Sequence, residues 1–172
     1  MNKAFFLTIF LLSTFTFSIA KAQSALPDEL SKKWDNVIEA IQRRNDIAES
    51  IAGFLSKTDY NEKDLLKQCI AKAAAYRKAL KDNKLKNATE IEKIRVFYQE
   101  QSIQLNRILV LLEKYPDIRK NKKQMELTEN LEGAENRVVV ATADFNTSCN
   151  KLRRKDLIFE PHKNETPPEV AF

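Results

Sequence analysis

Leu30, Trp34, Val37, Ile41, Ala48, Ile51 and Leu55 recur in alternating steps of four and three, with position 44 as the one gap in the series. This spacing lays the side chains along one stripe of an α-helix, and a stripe that long is buried only against other helices. Pro27 precedes it in a position that helix starts favour, so a first helix runs from about Asp28 to about Ser56. The rest of the chain repeats the pattern. Leu66, Cys69, Ala73, Tyr76 and Leu80 form a second stripe after the turn "SKTDYN", with Asn61 as its expected cap. Ile91, Ile94, Tyr98, Leu105, Ile108 and Leu112 form a third, opened by Asn87 or Thr89, each with a glutamate three residues on. A fourth stripe begins near Asn121 and comprises Leu127, Leu131, Ala134, Val138, Ala141, Phe145, Ser148 and Leu152, with Gly133 inside it as the mark of a close helix contact.

Two glycines and five prolines, against 31% charged residues, leave little material for the turns of a β-rich fold. The expected fold is therefore all-α, an elongated antiparallel bundle of about four long helices. Its corner lies at "EKYPDIRKN", where the residue before Pro116 is pushed out of the helical region and Asn121 caps the next helix. From about Asp156 the prolines of "LIFEPHKNETPPEVAF" exclude regular helix, so residues 156–172 are expected to form an extended tail beyond a bundle domain of residues 23–155.

Residues 1–22 read differently. Lys3 is followed by 17 uncharged residues and then Ala20-Lys21-Ala22, the pattern of a secretory signal peptide cleaved before Gln23. An uncleaved membrane anchor is the alternative, since the run sits at the lower limit of about 17 to 25 residues for a span. Cleavage would remove Lys3 and Lys21 and no acid, lowering the formal charge from +5 to +3. So small a bias gives no argument for a nucleic-acid partner. The chain is expected to act outside the cytoplasm, in the periplasm or tethered to the inner membrane.

Export permits disulfides, but antiparallel order argues against joining the two cysteines. Cys69 falls about 12 Å, and Cys149 about 42 Å, from the same end of the bundle. A disulfide needs Cα atoms about 4 to 7 Å apart. The gap at position 44 is Arg44, a charge turned toward the core. A buried guanidinium requires a carboxylate, and matching levels along antiparallel helices brings Glu132 and Glu135 opposite it. The alternative is that Arg44 sits at the edge of the seam and its stem reaches water.

Catalytic material is thin. His162 is the single histidine, the cysteines are 80 residues apart, and Gly53 and Gly133 stand alone, so no histidine-based triad, Cys-x-x-Cys site or glycine-rich phosphate loop is expected. Glu-x-x-Glu spacings at Glu126, Glu129, Glu132 and Glu135 lack the Glu-x-x-His partners of a di-metal bundle. No metal, cofactor or small-molecule substrate is expected. Lys120, Lys122 and Lys123 at the corner either meet anionic lipid or simply cover a solvated turn.

Four blocks carry a family resemblance: "WDNVIEAIQRRNDIAESI", "KYPDIRKN" with its Tyr115-Pro116-Asp117 turn, "LTENLEGAENRVVVATADFN" and the closing "PPEVAF". In this order they resemble the LemA family of bacterial envelope proteins. The chain departs from the pattern at Glu49, where the family usually has proline, and at Thr142, where it has arginine. Phe145-Asn146 stands for its Tyr-Asn pair, and Leu152-Arg153 for its second. The resemblance implies an elongated helical bundle without established enzymatic activity, often tethered by an N-terminal membrane helix. It supplies no catalytic residues. The expected function is a non-enzymatic interaction or scaffold module with a protein partner at the envelope; the alternative is a membrane-anchored lipid-binding or membrane-remodelling module.

Overall fold

The computed structural model describes residues 26–58 and 62–162, and the expected signal peptide or anchor of residues 1–22 lies outside them. Four long helices are present: α1 (Asp28–Leu55), α2 (Lys63–Asp82), α3 (Ala88–Lys114) and α5 (Lys122–Lys151), with a single-turn α4 (Pro116–Arg119) at the corner before α5. At a rise of about 1.5 Å per residue α1 extends about 42 Å and α5 about 45 Å, so the bundle is elongated.

Local chemistry sets the boundaries. The Asn87 side chain accepts hydrogen bonds from the backbone N–H groups of Thr89 and Glu90, and that of Asn121 does the same for Lys123 and Gln124. Asp28 and Glu29 place negative charge in the first turn of α1, where the helix dipole favours it. The expected cap Asn61 lies outside the described residues, and α2 starts at Lys63.

Cross-helix pairs fix the topology. Lys33 with Asp144, and Ser148 with Glu29, run α5 antiparallel to α1. Asn45 with Ala73 and Trp34 with Asn83 do so for α2, and Cys69 with Gln104 and Tyr76 with Glu100 run α3 antiparallel to α2. Helix α1 packs along both α2 and α5, while α3 closes the bundle.

The core divides into two apolar clusters. One surrounds Trp34 with Ile94, Phe145, Cys149, Leu157 and Phe159; the other gathers Ile51, Leu55, Leu66, Cys69, Ile108 and Leu127. The cysteines are buried and free, one in each cluster, as the level argument required.

Three expectations need correction. Gly133 marks no close contact, because a Cβ added there would meet nothing within 4 Å. Helix α5 ends at Lys151 and leaves Leu152 exposed, while Thr142 is buried and Ala141 only half-buried. A boundary after residue 155 does not separate a tail from the bundle either. A 3₁₀ turn at Lys155–Leu157 folds the chain back, and Leu157 and Phe159 are fully buried against α1 and α5. The three-residue apolar run Leu157-Ile158-Phe159 in a charged stretch is what makes this return favourable.

Candidate functional site

Between the two clusters a buried polar layer crosses the bundle. Helix α1 contributes Arg44 and Asn45, α3 contributes Tyr98, Gln101 and Ser102, and α5 contributes Glu135. Arg44 is only 3% exposed, so it does not sit at the seam edge. Its Nε donates to Glu135 Oε1 at 2.5 Å, Nη1 to Gln101 Oε1 at 2.5 Å and Nη2 to Ser102 Oγ at 3.0 Å. The guanidinium carbon stands 4.5 Å from the centre of the Tyr98 ring, and the Tyr98 hydroxyl donates to Glu135 Oε2 at 3.2 Å. Gln101 passes the network on by donating to Asn45 Oδ1, and Asn45 Nδ2 donates to the Ala73 carbonyl of α2 at 2.9 Å. All four long helices are thus joined at one level.

Glu132, the other expected partner, is exposed. Level-matching fixes height along an axis but not direction around it. Glu135 follows Leu131 by four and precedes Val138 by three, so it flanks the buried stripe, whereas Glu132 lies on the outer face. Gln101 was legible by the same logic: it fills the only seven-residue step in the α3 stripe, between Tyr98 and Leu105, as Arg44 fills the gap in α1.

The layer is built for registration. Planar guanidinium geometry suits several acceptors at once, and a slip of one helix turn would strand a buried charge. Beside it, Asn45, Cys69, Tyr76, Gln101 and Gln104 line a cavity of about 20 Å³, space for one water and no larger ligand. Burial, followed by the hydrogen bond to Glu100, pushes the Tyr76 phenol well above its ordinary range, so it stays protonated.

Near the start of α1 the Trp34 indole donates to Asn83 Oδ1 at 2.8 Å and packs on Phe145 and Phe159, with ring centroids at 5.1 and 5.4 Å. Asn146 holds residue 159 by both backbone groups: Nδ2 donates to the Phe159 carbonyl at 2.8 Å, and the Phe159 N–H donates to Oδ1 at 2.9 Å. Burial pushes the neighbouring Cys149 thiol up to about 11, so it is a poor nucleophile.

At the opposite end Tyr115 terminates α3 and Pro116 begins α4. Lys114 Nζ donates to Glu62 Oε1 at 2.8 Å, which holds the Glu62 carboxyl below its usual range, and Tyr115 OH also reaches this carboxylate at 3.3 Å. Ile118 anchors the corner in the core, while Asp117 is exposed and loosely paired with Lys120 at 3.9 Å. Lys122 is exposed, and Lys123 pairs with Glu126 at 3.5 Å. This basic corner lies about one α1 length, about 42 Å, from Pro27. Neither the corner lysines nor the Tyr115 turn touches the Arg44 layer.

A larger open groove of about 550 Å³ runs between the start of α3 and residues 155–160. Its Arg95 is engaged by Glu92, and Asp156 by Arg154, while Lys155 lies exposed on its wall. Among the described residues no three His, Cys, Asp or Glu side chains are grouped to hold a metal ion. No described helix is long and apolar enough to cross a membrane.

The sequence pattern of the LemA family matches residues 33–164, most of the chain. The chain belongs to the LemA family. The match spans the polar layer, the Trp34 cluster and the corner, so the first three blocks that resemble the LemA family supply residues that register and close the bundle, while the block "PPEVAF" lies outside the described residues. No curated protein matches the chain. One departure from the LemA family pattern leaves a trace: Thr142, in the place of the expected arginine, is buried with no hydrogen-bond partner for its hydroxyl among the described residues. At another, Phe145, the ring sits against Trp34 with no exposed surface.

Proposed function

We propose that the chain is a non-enzymatic helical-bundle module that holds a protein partner at the bacterial cell envelope, exported by its N-terminal segment. One contrast carries this reading. The polar side chains of the Arg44 layer are engaged in joining helices, while large apolar side chains stand on the outer faces: Val96, Ile103 and Val110 on α3, and Val139 and Val140 on α5. Neighbouring exposed apolar residues on a soluble bundle mark interaction surfaces more often than chemistry. A photo-cross-linker at Val140 in the full chain, activated in living cells and read by mass spectrometry, is expected to capture envelope proteins and to leave the N-terminus of the product open to sequencing. Adducts restricted to cytoplasmic proteins would refute the reading.

The lipid-binding alternative draws on Lys120, Lys122 and Lys123. Their place at the far end from Pro27 weighs against it, because an anchor preceding α1 and a lipid contact at the corner would engage surfaces about 42 Å apart. Salt-sensitive binding of the purified chain to anionic vesicles, lost on Lys122→Glu/Lys123→Glu, would favour that alternative instead.

A further inference from the structure

We infer that the outer face of α2 is a docking surface for anionic membrane lipid, laying the bundle lengthwise on a bilayer. This goes beyond the protein-partner reading, since it gives the chain a second surface and leaves Val140 turned toward that partner. Residues 63–86 hold eight Lys or Arg and two Asp or Glu, while the rest of residues 23–172 holds 19 against 22. The net positive charge is thus concentrated in one helix and the turn after it. At about 100° per residue Lys63, Lys67, Lys78 and Lys81 fall within a sector of about 60°, turned away from the buried stripe of α2 and about 27 Å long. All four are exposed, with the small side chain of Ala74 among them, and exposed Lys84 and Lys86 carry the charge on past the end of the helix.

The acids around this stripe do not cancel it. Asp46 and Glu49 of α1 are both held by Arg77, and Asp35 lies 3.6 Å from Lys84. Asp64 reaches Lys67 only at 3.9 Å, and it and Asp82 stand about 40° beyond the sector's edge. On the outer face of α1, Glu39 stands between Lys32 and Arg43. Lys63, Lys78 and Lys81 have no ion-pair partner among the described residues.

Three features select lipid over a polymer. The free cations are lysines, point charges without the planar fork that reads one fixed phosphate, and the single arginine of α2, Arg77, is occupied. The face is convex, and the one aromatic side chain of α2, Tyr76, is buried, so no platform for bases is offered. The third feature rests on the export proposed above. The 17 uncharged residues after Lys3 precede α1, whose first turns lie beside Lys84, so export brings this end of the stripe to a bilayer. Helices α2 and α5 occupy opposite corners of the bundle, each packed on α1 and not on the other, so Val140 on the outer face of α5 is turned away from a bilayer under α2.

The test uses the full chain as isolated from the envelope fraction of expressing cells, with an environment-sensitive fluorophore on Ala74→Cys; the native cysteines are buried and stay unlabelled. On vesicles of equimolar phosphatidylglycerol and phosphatidylcholine the emission is expected to shift to the blue, and on phosphatidylcholine alone it is not. Raising salt from about 0.1 to about 1 M, which shortens the Debye length from about 10 to about 3 Å, should reverse the shift. A label on Val140→Cys should not respond, so insertion of the N-terminal segment alone does not imitate the result. Lys78→Gln/Lys81→Gln is expected to weaken binding about 25-fold, about fivefold for each charge removed. Lys78→Arg/Lys81→Arg and the corner pair Lys122→Glu/Lys123→Glu should leave it unchanged, with helical content constant by circular dichroism throughout. No shift at Ala74, an equal one at Val140, binding that survives the glutamine pair or is lost with the corner pair, or a stronger response to polyphosphate than to vesicles would overturn the inference. None of these results would alter the proteins captured at Val140, so the two readings fail separately.

Discussion

Replacing Arg44 with alanine removes the donor that three acceptors share, and the cost follows from how wet each acceptor is. Gln101 is buried at 5% exposure and loses its partner outright, which costs about 1–3 kcal/mol for a stranded polar group. Ser102 is half-buried and can turn to another partner. The Glu135 side chain is 37% exposed, so water recovers part of its loss, and the full 3–5 kcal/mol typical of breaking a buried ion pair is not reached. Adding the lost packing on Tyr98, Arg44→Ala is expected to destabilise by about 3 kcal/mol, near the lower end of that range. For a domain of this size that lowers the melting temperature by about 6–12 °C. Arg44→Lys should lose about 2 kcal/mol, since an ammonium cannot satisfy three diverging acceptors in the plane of a guanidinium. Glu135→Gln, which keeps an acceptor but not its charge, should lose about 1–2 kcal/mol. Glu132→Gln should change stability by less than about 0.5 kcal/mol. Urea unfolding followed by far-ultraviolet circular dichroism measures all four. If Arg44→Ala fell within about 0.5 kcal/mol of Glu132→Gln, the claim that the polar layer holds the helices together would be wrong.

Other outcomes follow from the same packing. Gly133→Ala is expected to stabilise by about 0.5–1 kcal/mol, because the glycine lies inside α5 with open space around it; destabilisation by thermal melting would mean the site is crowded after all. Phe159→Ala should cost about 3–5 kcal/mol and Asn146→Ala about 2 kcal/mol, both blunting the near-ultraviolet signal of Trp34, which would stay unchanged if residue 159 were merely a tail. Cys69 and Cys149, both buried and both with thiols pushed above their ordinary range, should resist maleimide in the native chain and react in denaturant. Rapid native labelling at neutral pH would contradict the burial.

The elements were legible because their signals are local. Asparagines at 87 and 121, the proline at 116 and the stepwise apolar positions each act within a turn or two, and apart from Ala141 and Leu152 in the fourth stripe they mark what they were expected to mark. The level of the Arg44 layer was also readable, since antiparallel order makes height a matter of counting. Direction around each helix was not used in that count, which is why Glu132 and Glu135 stood level in the sequence and only Glu135 meets the guanidinium. The return of Leu157 and Phe159 to Trp34 was hidden for a different reason. It depends on a pocket assembled from α1 and α5 and on the two backbone bonds offered by Asn146, and no property of residues 155–159 alone announces either.

The meeting of Trp34 with Phe145 and Phe159 spans the chain from near one end of the described residues to the other. As the polypeptide emerges vectorially, the apolar stripe of its first helix must wait for more than a hundred further residues before the side chains that seal it exist. Contacts of such separation are slow to close and leave sticky surface bare in the meantime. Completion of this fold is therefore tied to the arrival of the segment that carries Leu157 and Phe159. A nascent chain stalled before Phe159 would present an open core to chaperones and proteases.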